Sequence, residues 1–380
     1  MATVLLFTTM SWPFAAQLAG AFAACGARVE ALCPPQGMLA ASRHVARRHD
    51  WRLVTPHAAL DQALDTSRPD LVVPCDDMAA ELLLHREGRA PLSRHEFLAR
   101  AKAAGAPSVP SLPVDTAQDL EGAIAQLGLP LVVKCDATWG GDGVTIVQCR
   151  EEARAAFAAF HNPSRLRNLV RAIRRKRSYF LSRALFPVAA RISVQRFVAG
   201  SPATSALACW QGEVVAAHHF DVVQSSGATG PASVVTARTC AQMQASAAAV
   251  ARAFNLSGLV GLDYIRDEHG QVHLLEMNAR AVPTSHLALT QDPVFALLAA
   301  VGRAPRPRAP ATASENIALF PREWLRDPSS AWLKTAFHDV PWEDAGVVRA
   351  CAQTAPAAAK AVLEAGLQPA LTQKAGLLRA

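Results

Sequence analysis

Apolar residues at positions 3–7 are followed by a polar turn at 8–13, then by apolar positions at mostly helical spacing over 14–25, and a second apolar run occupies 28–33. After Arg68-Pro69-Asp70 a third short run, residues 71–73, ends in Pro74-Cys75-Asp76-Asp77 and leads into a helical pattern over 78–85. Strand and helix patterns that alternate in this way predict a parallel sheet with helices on both faces, an α/β domain of about 90 residues. Its strand-to-loop transitions, at 8–11 and 75–77, fall at the carboxyl ends of predicted strands, where open α/β sheets bind ligands. Solvated loop ends are the alternative for each of these residues taken singly.

Farther along, residues 93–104 read as a helix that stops at Gly105, with Pro107 and Pro110 just beyond. A short helix at 116–127 leads through Gly128 to a strand at 131–134, and an Ala-rich helix covers 151–160. Segments 192–198 and 206–215 read as strands, 240–254 as a helix and 259–277 as a hairpin; Pro-, Arg- and Ala-rich residues 304–313 read as a linker into a tail with helical patches. No repeat with a period of 20 to 50 residues is present. The fold class this predicts is α/β followed by α+β, with domains at 1–90, 91–192, 193–302 and a C-terminal extension at 303–380.

Composition narrows the picture. A chain of 380 residues, 51% hydrophobic and 18% charged, excludes a disordered protein and fits two or three compact domains. Eight dispersed cysteines without a C-x-x-C pair imply neither a disulfide framework nor a structural metal, which fits a reducing cytoplasm. No Lys or Arg precedes Arg28, so the apolar start lacks the charged flank of a signal peptide, and no apolar run approaches the length of a membrane span. The formal charge of +7 is local: Arg165, Arg167, Arg171, Arg174, Arg175, Lys176, Arg177 and Arg183 lie in one segment without an acidic residue. A solvated helix face, a membrane-surface or nucleic-acid patch, and a cover over an anionic substrate are its three readings. Too few aromatic residues accompany it for single-strand stacking, and no nucleic-acid partner is expected.

The stretch with the most chemistry runs from Gly261-Leu262-Asp263-Tyr264 through Asp267-Glu268-His269-Gly270 to Leu274-Leu275-Glu276-Met277-Asn278-Ala279-Arg280. With His269-Gly270 as a two-residue turn, Asp263 lies directly opposite Glu276, the Cβ atoms about 5 Å apart. Glu276 and Asn278 then share a face with Asp263, and Leu275 and Met277 enter the core. Like charges across a ladder repel unless a cation sits between them, and oxygen-only ligands select Mg²⁺ or Mn²⁺. A solvated acidic hairpin is the alternative.

The segment Leu275-Glu276-Met277-Asn278-Ala279-Arg280, with Asp263 thirteen residues before Glu276, resembles the metal-binding signature of the ATP-grasp superfamily. Pro130-Leu131-Val132-Val133-Lys134 followed by Gly140-Gly141-Asp142-Gly143-Val144 resembles that superfamily's phosphate-binding lysine strand and flexible glycine-rich loop. A third segment, Val194-Gln195-Arg196-Phe197-Val198, is similar to the strand joining its two subdomains, and the whole is close to the biotin carboxylase and carbamoyl phosphate synthetase type. The resemblance spans roughly residues 93–298 and implies an N-terminal α/β domain ahead of a two-part nucleotide-binding body. By it, Lys134 contacts the α and β phosphates, and Gly140, Gly141 and Gly143 let the backbone close over ATP. It places adenine against the backbone of Gln195, Arg196, Phe197 and Val198, Arg196 standing where an acidic residue is usual. Arg94 stands where a lysine is usual. Asp263, Glu276 and Asn278 are the implied metal ligands, and Arg280 the residue aimed at the acyl phosphate or the carboxylate.

That resemblance implies an ATP-dependent ligase in which a small-molecule carboxylate is activated as an acyl phosphate and passed to an amine, with ATP and Mg²⁺ (or Mn²⁺) required. A phosphotransferase and a non-catalytic ATP-binding module are the rival readings, and a homodimer is compatible with all three. Arg191, His218, His219, Asp221, the small polar loop 225–231 and His286 are the further candidates for the substrate side, each with a structural alternative.

Overall fold

The computed structural model describes residues 1–136, 143–161, 191–227, 229–311 and 314–377, with side chains up to residue 367. Gly140, Gly141, the basic segment 165–183 and residue 228 of the small polar loop lie outside the described residues.

The first sheet is wholly parallel, in the order β3-β2-β1-β4, from β1 (Thr3–Phe7), β2 (Arg28–Cys33), β3 (Val45–Asp50) and β4 (Leu71–Pro74). Helices α1 (Pro13–Ala24), α2 (Pro56–Ser67) and α3 (Asp77–Arg86) cover it. The sequence reading lacked β3 and α2. Strand β3 is an edge strand of sequence Val-Ala-Arg-Arg-His-Asp, largely exposed, so it carries no apolar alternation to betray it. At the carboxyl edge Asp76 accepts hydrogen bonds from Thr8 Oγ1 (2.8 Å) and Thr9 Oγ1 (3.0 Å) and caps α3 through Ala79 N–H (2.9 Å).

Helix α4 (Arg94–Ala103) opens on a capping box, Ser93 with Glu96, which fixes Arg94 at its first turn. A four-stranded antiparallel sheet follows, in the order β5-β8-β6-β7: β5 (Ser111–Pro113), β6 (Leu131–Cys135), β7 (Val144–Val147) and β8 (Ile192–Arg196). Helices α5 (Ala117–Leu127) and α6 (Arg150–His161) pack on it.

The third sheet has seven strands in the order β13-β12-β9-β10-β11-β14-β15. Strands β9 (Gly200–Trp210) and β10 (Glu213–Ser225) form a hairpin over the two-residue turn Gln211-Gly212, where the sequence reading had one strand at 206–215. Strands β11 (Ala232–Arg238), β12 (Gly258–Asp267) and β13 (Val272–Asn278) complete the antiparallel part. Helix α7 (Ala241–Phe254) and α4 bury one face around Leu207, Leu262, Tyr264 and Leu274; α8 (Pro293–Ala300) packs between the other face and the N-terminal domain.

The C-terminal extension joins the sheet instead of trailing from it. Residues 304–311 are pinned on both sides: Arg306 N–H bonds the Cys25 carbonyl (2.9 Å), and Arg308 clasps Asp292 (2.6 and 2.7 Å). Strands β14 (Asn316–Ala318) and β15 (Phe337–His338) then extend the large sheet beyond β11. Helices α9 (Arg322–Arg326), α10 (Trp332–Thr335), α11 (Ala345–Thr354) and α12 (Ala357–Leu377) close a separate core around Phe320, Trp324, Val348 and Leu363.

At Gly200, where β9 begins its pairing with β12, an added Cβ would lie 2.1 Å from the Arg266 carbonyl oxygen. Gly200→Ala forces two backbones apart, so a loss of about 1–3 kcal/mol is expected in equilibrium denaturation.

Candidate active site

The acidic hairpin reaches its geometry by a different route from the one the sequence suggested. The turn holds three residues, Glu268-His269-Gly270, with Gly270 at φ 76°, and Gly270 N–H bonds the Asp267 carbonyl (2.9 Å). Pairs near the turn are therefore shifted by one, Tyr264 facing Leu274 and Arg266 facing Val272. A bulge between Asp263 and Tyr264 absorbs the extra residue, and beyond it Asp263 pairs with Glu276 and Gly261 with Asn278. Leu262 and Tyr264 enter the core against α7 while Asp263 faces away from it; on β13 Leu274 and Met277 join them, and Leu275, expected in the core, is the extra residue of the bulge.

Around this pair the chain gathers charge from every part of the fold. Lys134, on β6, is only 5% exposed; burial pushes its pKa down, and the carboxylates of Glu276, Asp263 and Asp136 partly restore it. Arg94 donates from Nε to Glu276 Oε2 (3.0 Å) and from Nη1 to the Cys135 carbonyl (2.7 Å) and lies 3.5 Å from Asp136. Arg280 donates from Nε to Asp77 Oδ1 (2.9 Å) and from Nη2 to Asn278 Oδ1 (2.9 Å), while Asn278 Nδ2 donates to Asp263 Oδ2 (2.9 Å). The Ala281 N–H bonds the Pro74 carbonyl (2.9 Å), which fastens the segment after β13 to the carboxyl edge of the first sheet.

These contacts divide the two facing carboxylates. Burial, and after it the charge of Glu276, raises the Asp263 pKa to about 6. For Glu276 burial acts upward too, but Arg94 and Lys134 outweigh it and hold the group below the usual carboxylate range. A pair of facing oxygen donors, one of which resists ionisation because it is buried beside a charged neighbour, suits a hard divalent cation. Asn278 fits less directly, because its oxygen is engaged by Arg280 and its amide nitrogen faces Asp263. An amide flip would exchange the two at the cost of both bonds.

Other expectations separate at this point. Gly143 lies at the start of β7, its carbonyl bonded by Cys135 N–H (2.9 Å). Strand β8 ends at Arg196; the N–H groups of Arg196 and Phe197 already bond the Pro110 and Pro130 carbonyls (3.0 and 3.4 Å), and Val198 lies beyond the last ladder pair. The Gln195 side chain, 2% exposed, donates to the Leu275 carbonyl (3.3 Å) and ties the small sheet to the acidic hairpin. Arg191 is exposed at the foot of β8. His219 points to the α7 face, bonded to Ser205 (2.7 Å) and Gln244 (3.0 Å), and Asp221 is held by Arg238 (2.8 Å) and Arg266 (2.6 Å), so neither reaches the acidic pair. His218 is buried and stacked near Phe220, and burial lowers its pKa to about 4. At the end of the β10–β11 hairpin Ser226 N–H bonds the Pro231 carbonyl (3.1 Å).

Three site residues were not singled out from sequence. Asp136 lies two positions after Lys134, a spacing that placed it on the lysine's face. Asp77 stands in the strand-end run 75–77, where the sequence does not distinguish it from its neighbours. Arg322, at the start of α9, had no signal in the sequence: burial lowers its pKa to about 10, Arg280 adds to that, and Asp339 and Asp263 oppose it. Beside it Asp339 Oδ2 lies 3.4 Å from His286 Nε2, burial having lowered the His286 pKa to about 3.

Burial raises the Asp339 pKa to about 7, against about 3.9 in an unfolded chain. Below about pH 4 both states hold the proton. Between there and pH 7 only the unfolded state releases it, so stability falls as pH rises through that window. Asp339→Asn, which keeps an acceptor for the Phe320 N–H, is expected to melt above the wild type at pH 8 and with it near pH 4.

The sequence profile described as "Carbamoyl-phosphate synthase L chain, ATP binding domain" matches residues 93–170. No curated protein matches the chain in sequence. Among solved structures the fold is similar to N5-carboxyaminoimidazole synthetase from Staphylococcus aureus, at TM-score 0.57 and 14% identity over 80% of this chain and 78% of that one. It is similar also to an L-amino acid ligase from Bacillus licheniformis, at TM-score 0.56 and 16% identity over 81% and 76% of the two chains. The biotin carboxylase domain of the Hydrogenobacter thermophilus 2-oxoglutarate carboxylase, solved with MgADP and bicarbonate, gives 0.56 and 17% over 81% and 71%. With the parallel N-terminal sheet, the small antiparallel sheet that carries the lysine and the large sheet that carries the acidic hairpin, the chain has the ATP-grasp fold of these structures.

Proposed function

We propose that this chain is an ATP-dependent ligase that activates a small-molecule carboxylate as an acyl phosphate and transfers the acyl group to an amine. The observation that carries this reading is the convergence of Asp263 and Glu276 with Lys134, Arg280 and Arg322 where the two later sheets meet the carboxyl edge of the first. The fold's likeness to proteins described as a synthetase, a carboxylase domain and an amino acid ligase supports it. In this reading residues 1–90 form the pre-ATP domain, 91–192 and 193–302 the two halves of the nucleotide cleft, and 303–380 a C-terminal unit that lends Arg322 to the site.

Each residue then has a task. Lys134 places a compact charge on the ATP phosphates, and Gly143 belongs to the loop that covers them. With the Arg196 and Phe197 N–H groups committed, the backbone at Val198 is the position left to meet adenine. Asp263 and Glu276, and Asn278 after an amide flip, would hold Mg²⁺ or Mn²⁺, which would supply positive charge to offset that of the phosphates. Arg94 gives up Glu276 as nucleotide enters and turns to phosphate. Arg280 and Arg322 orient the substrate carboxylate, whose oxygen attacks the γ-phosphorus while ADP leaves. The amine nitrogen then attacks the acyl carbon, and inorganic phosphate departs with the C–N bond formed.

An ADP-release screen of the purified protein against paired carboxylates and amines tests the proposal. Release is expected only with the metal and a carboxylate present, and hydroxylamine in place of the amine should yield a hydroxamate. A stable phosphorylated product that hydroxylamine leaves untouched would instead identify a phosphotransferase. ATP binding without ADP release from any substrate would leave a binding module.

A further inference from the structure

The oxygens that the acidic hairpin would offer to a metal are engaged by the chain's own donors. Arg94 Nε donates to Glu276 Oε2 (3.0 Å), Arg280 Nη2 donates to Asn278 Oδ1 (2.9 Å), and Asn278 Nδ2 is thereby turned onto Asp263 Oδ2 (2.9 Å). The two arginines differ in what they leave when they move. Arg280 also bonds Asp77 (2.9 Å) and the Ala281 carbonyl (3.2 Å), so it is fixed to the N-terminal domain and to its own strand end.

Arg94 instead reaches the hairpin from the nucleotide side. Its backbone is set at the start of α4 by the Ser93–Glu96 capping box, and its Nη1 donates to the carbonyl of Cys135 (2.7 Å), the residue after Lys134 on β6. A planar fork meets a carbonyl and a carboxylate in two set directions, where the ammonium of a lysine is a single point charge. The Arg94 and Glu276 side chains are 18% and 27% exposed, so solvent ions screen the pair little and the guanidinium is a strong competitor for that carboxylate.

We propose that Arg94 is the resident cation of the acidic hairpin and sets an order of binding: Arg94 and a divalent metal compete for Glu276, and the metal binds tightly only after nucleotide phosphates have drawn the guanidinium away. This rests on the ATP-cleft reading and adds to it the sequence of events and the residue that enforces it. Charge balance points the same way. Arg94, Lys134 and Arg280 all act on Glu276, and Arg280 acts on Asp263, so each of the facing carboxylates already has a cation. A lone divalent ion would bring positive charge into a buried group of charges already matched, whereas phosphates bring negative charge that attracts Arg94 and makes room for the metal's.

The test is a titration of Mn²⁺, read by electron paramagnetic resonance, into the full-length protein with no nucleotide added. Arg94→Met removes the competitor and is expected to bind Mn²⁺ about 10–100-fold more tightly than the wild type, the range that corresponds to one charge-assisted hydrogen bond. Arg94→Gln, uncharged but still able to donate to the Cys135 carbonyl, should gain at least tenfold. Arg191→Met takes the same charge from an exposed arginine that acts on Asp136, and should stay within about threefold of the wild type. ADP should bind the wild type in excess EDTA and bind both Arg94 variants more weakly. Melting curves check that the variants are folded. Equal Mn²⁺ affinity in the wild type and the folded Arg94 variants, a gain as large in Arg191→Met, or ADP that binds the wild type only with metal present would overturn the proposal. Any of these would leave the ligase reading standing, since carboxylate-dependent ADP release does not depend on the order of binding; loss of that release with every substrate would sink the ligase reading without altering the Mn²⁺ comparison.

Discussion

Glu276→Gln is expected to reduce metal-dependent ADP release about 10²–10³-fold, because a carboxylate ligand accounts for several kcal/mol of the charge stabilisation that a bound ion provides and each 1.4 kcal/mol is about tenfold in rate. The substitution keeps the side chain's shape and leaves the ladder pair with Asp263 intact. It removes the negative charge that, after burial, holds the Asp263 pKa up, and it weakens the bond from Arg94. Three readings should therefore move together: turnover falls, the metal concentration for half-activation rises, and the melting temperature shifts by only a few degrees. Turnover at the wild-type rate, with unchanged metal dependence, would remove Glu276 from the metal site.

Lys134→Met is expected to have an effect of similar size, about 10²–10³-fold in kcat/KM for ATP, by taking a preorganised charge from the phosphates in a partly desiccated site. Its effect on stability should be much smaller. Burial already works against the ammonium, as the lowered pKa shows, and methionine fills a comparable volume on β6. Lys134→Arg should not restore activity, since the planar guanidinium needs more room than a strand interior offers and Arg94 already stands close enough to oppose its charge. Steady-state kinetics at varied ATP, with melting curves for both variants, check this; activity within threefold of wild type in Lys134→Met would refute the phosphate role.

The acidic hairpin shows how a sequence argument can reach the right pairing by a wrong path. Alternation and a turn placed Asp263 against Glu276, and the two are paired. The turn is one residue longer than expected, and a bulge at Asp263 restores the register. Nothing in the order of residues marks a bulge; its extra residue is Leu275 of β13, and with it Leu274 and Met277 both pack under α7 while Glu276 stays opposite Asp263. Strand β3 failed for the opposite reason: an edge strand with charged faces has no apolar period to read.

Local signals determined the parallel character of the N-terminal unit, the capped start of α4 that carries Arg94, the strand of Lys134 and the acidic pair, since each depends on neighbours within a few turns or one hairpin. Tertiary structure alone decided that Arg94 spans to Glu276, that Gln195 ties the small sheet to the acidic hairpin and that Arg280 meets Asp77 across 203 residues. It also brought Arg322 out of a tail that read as an appendage. Charges from distant segments can share a buried site only when the packing of three sheets has fixed their distances, and side-chain periodicity within one segment holds no information about those distances.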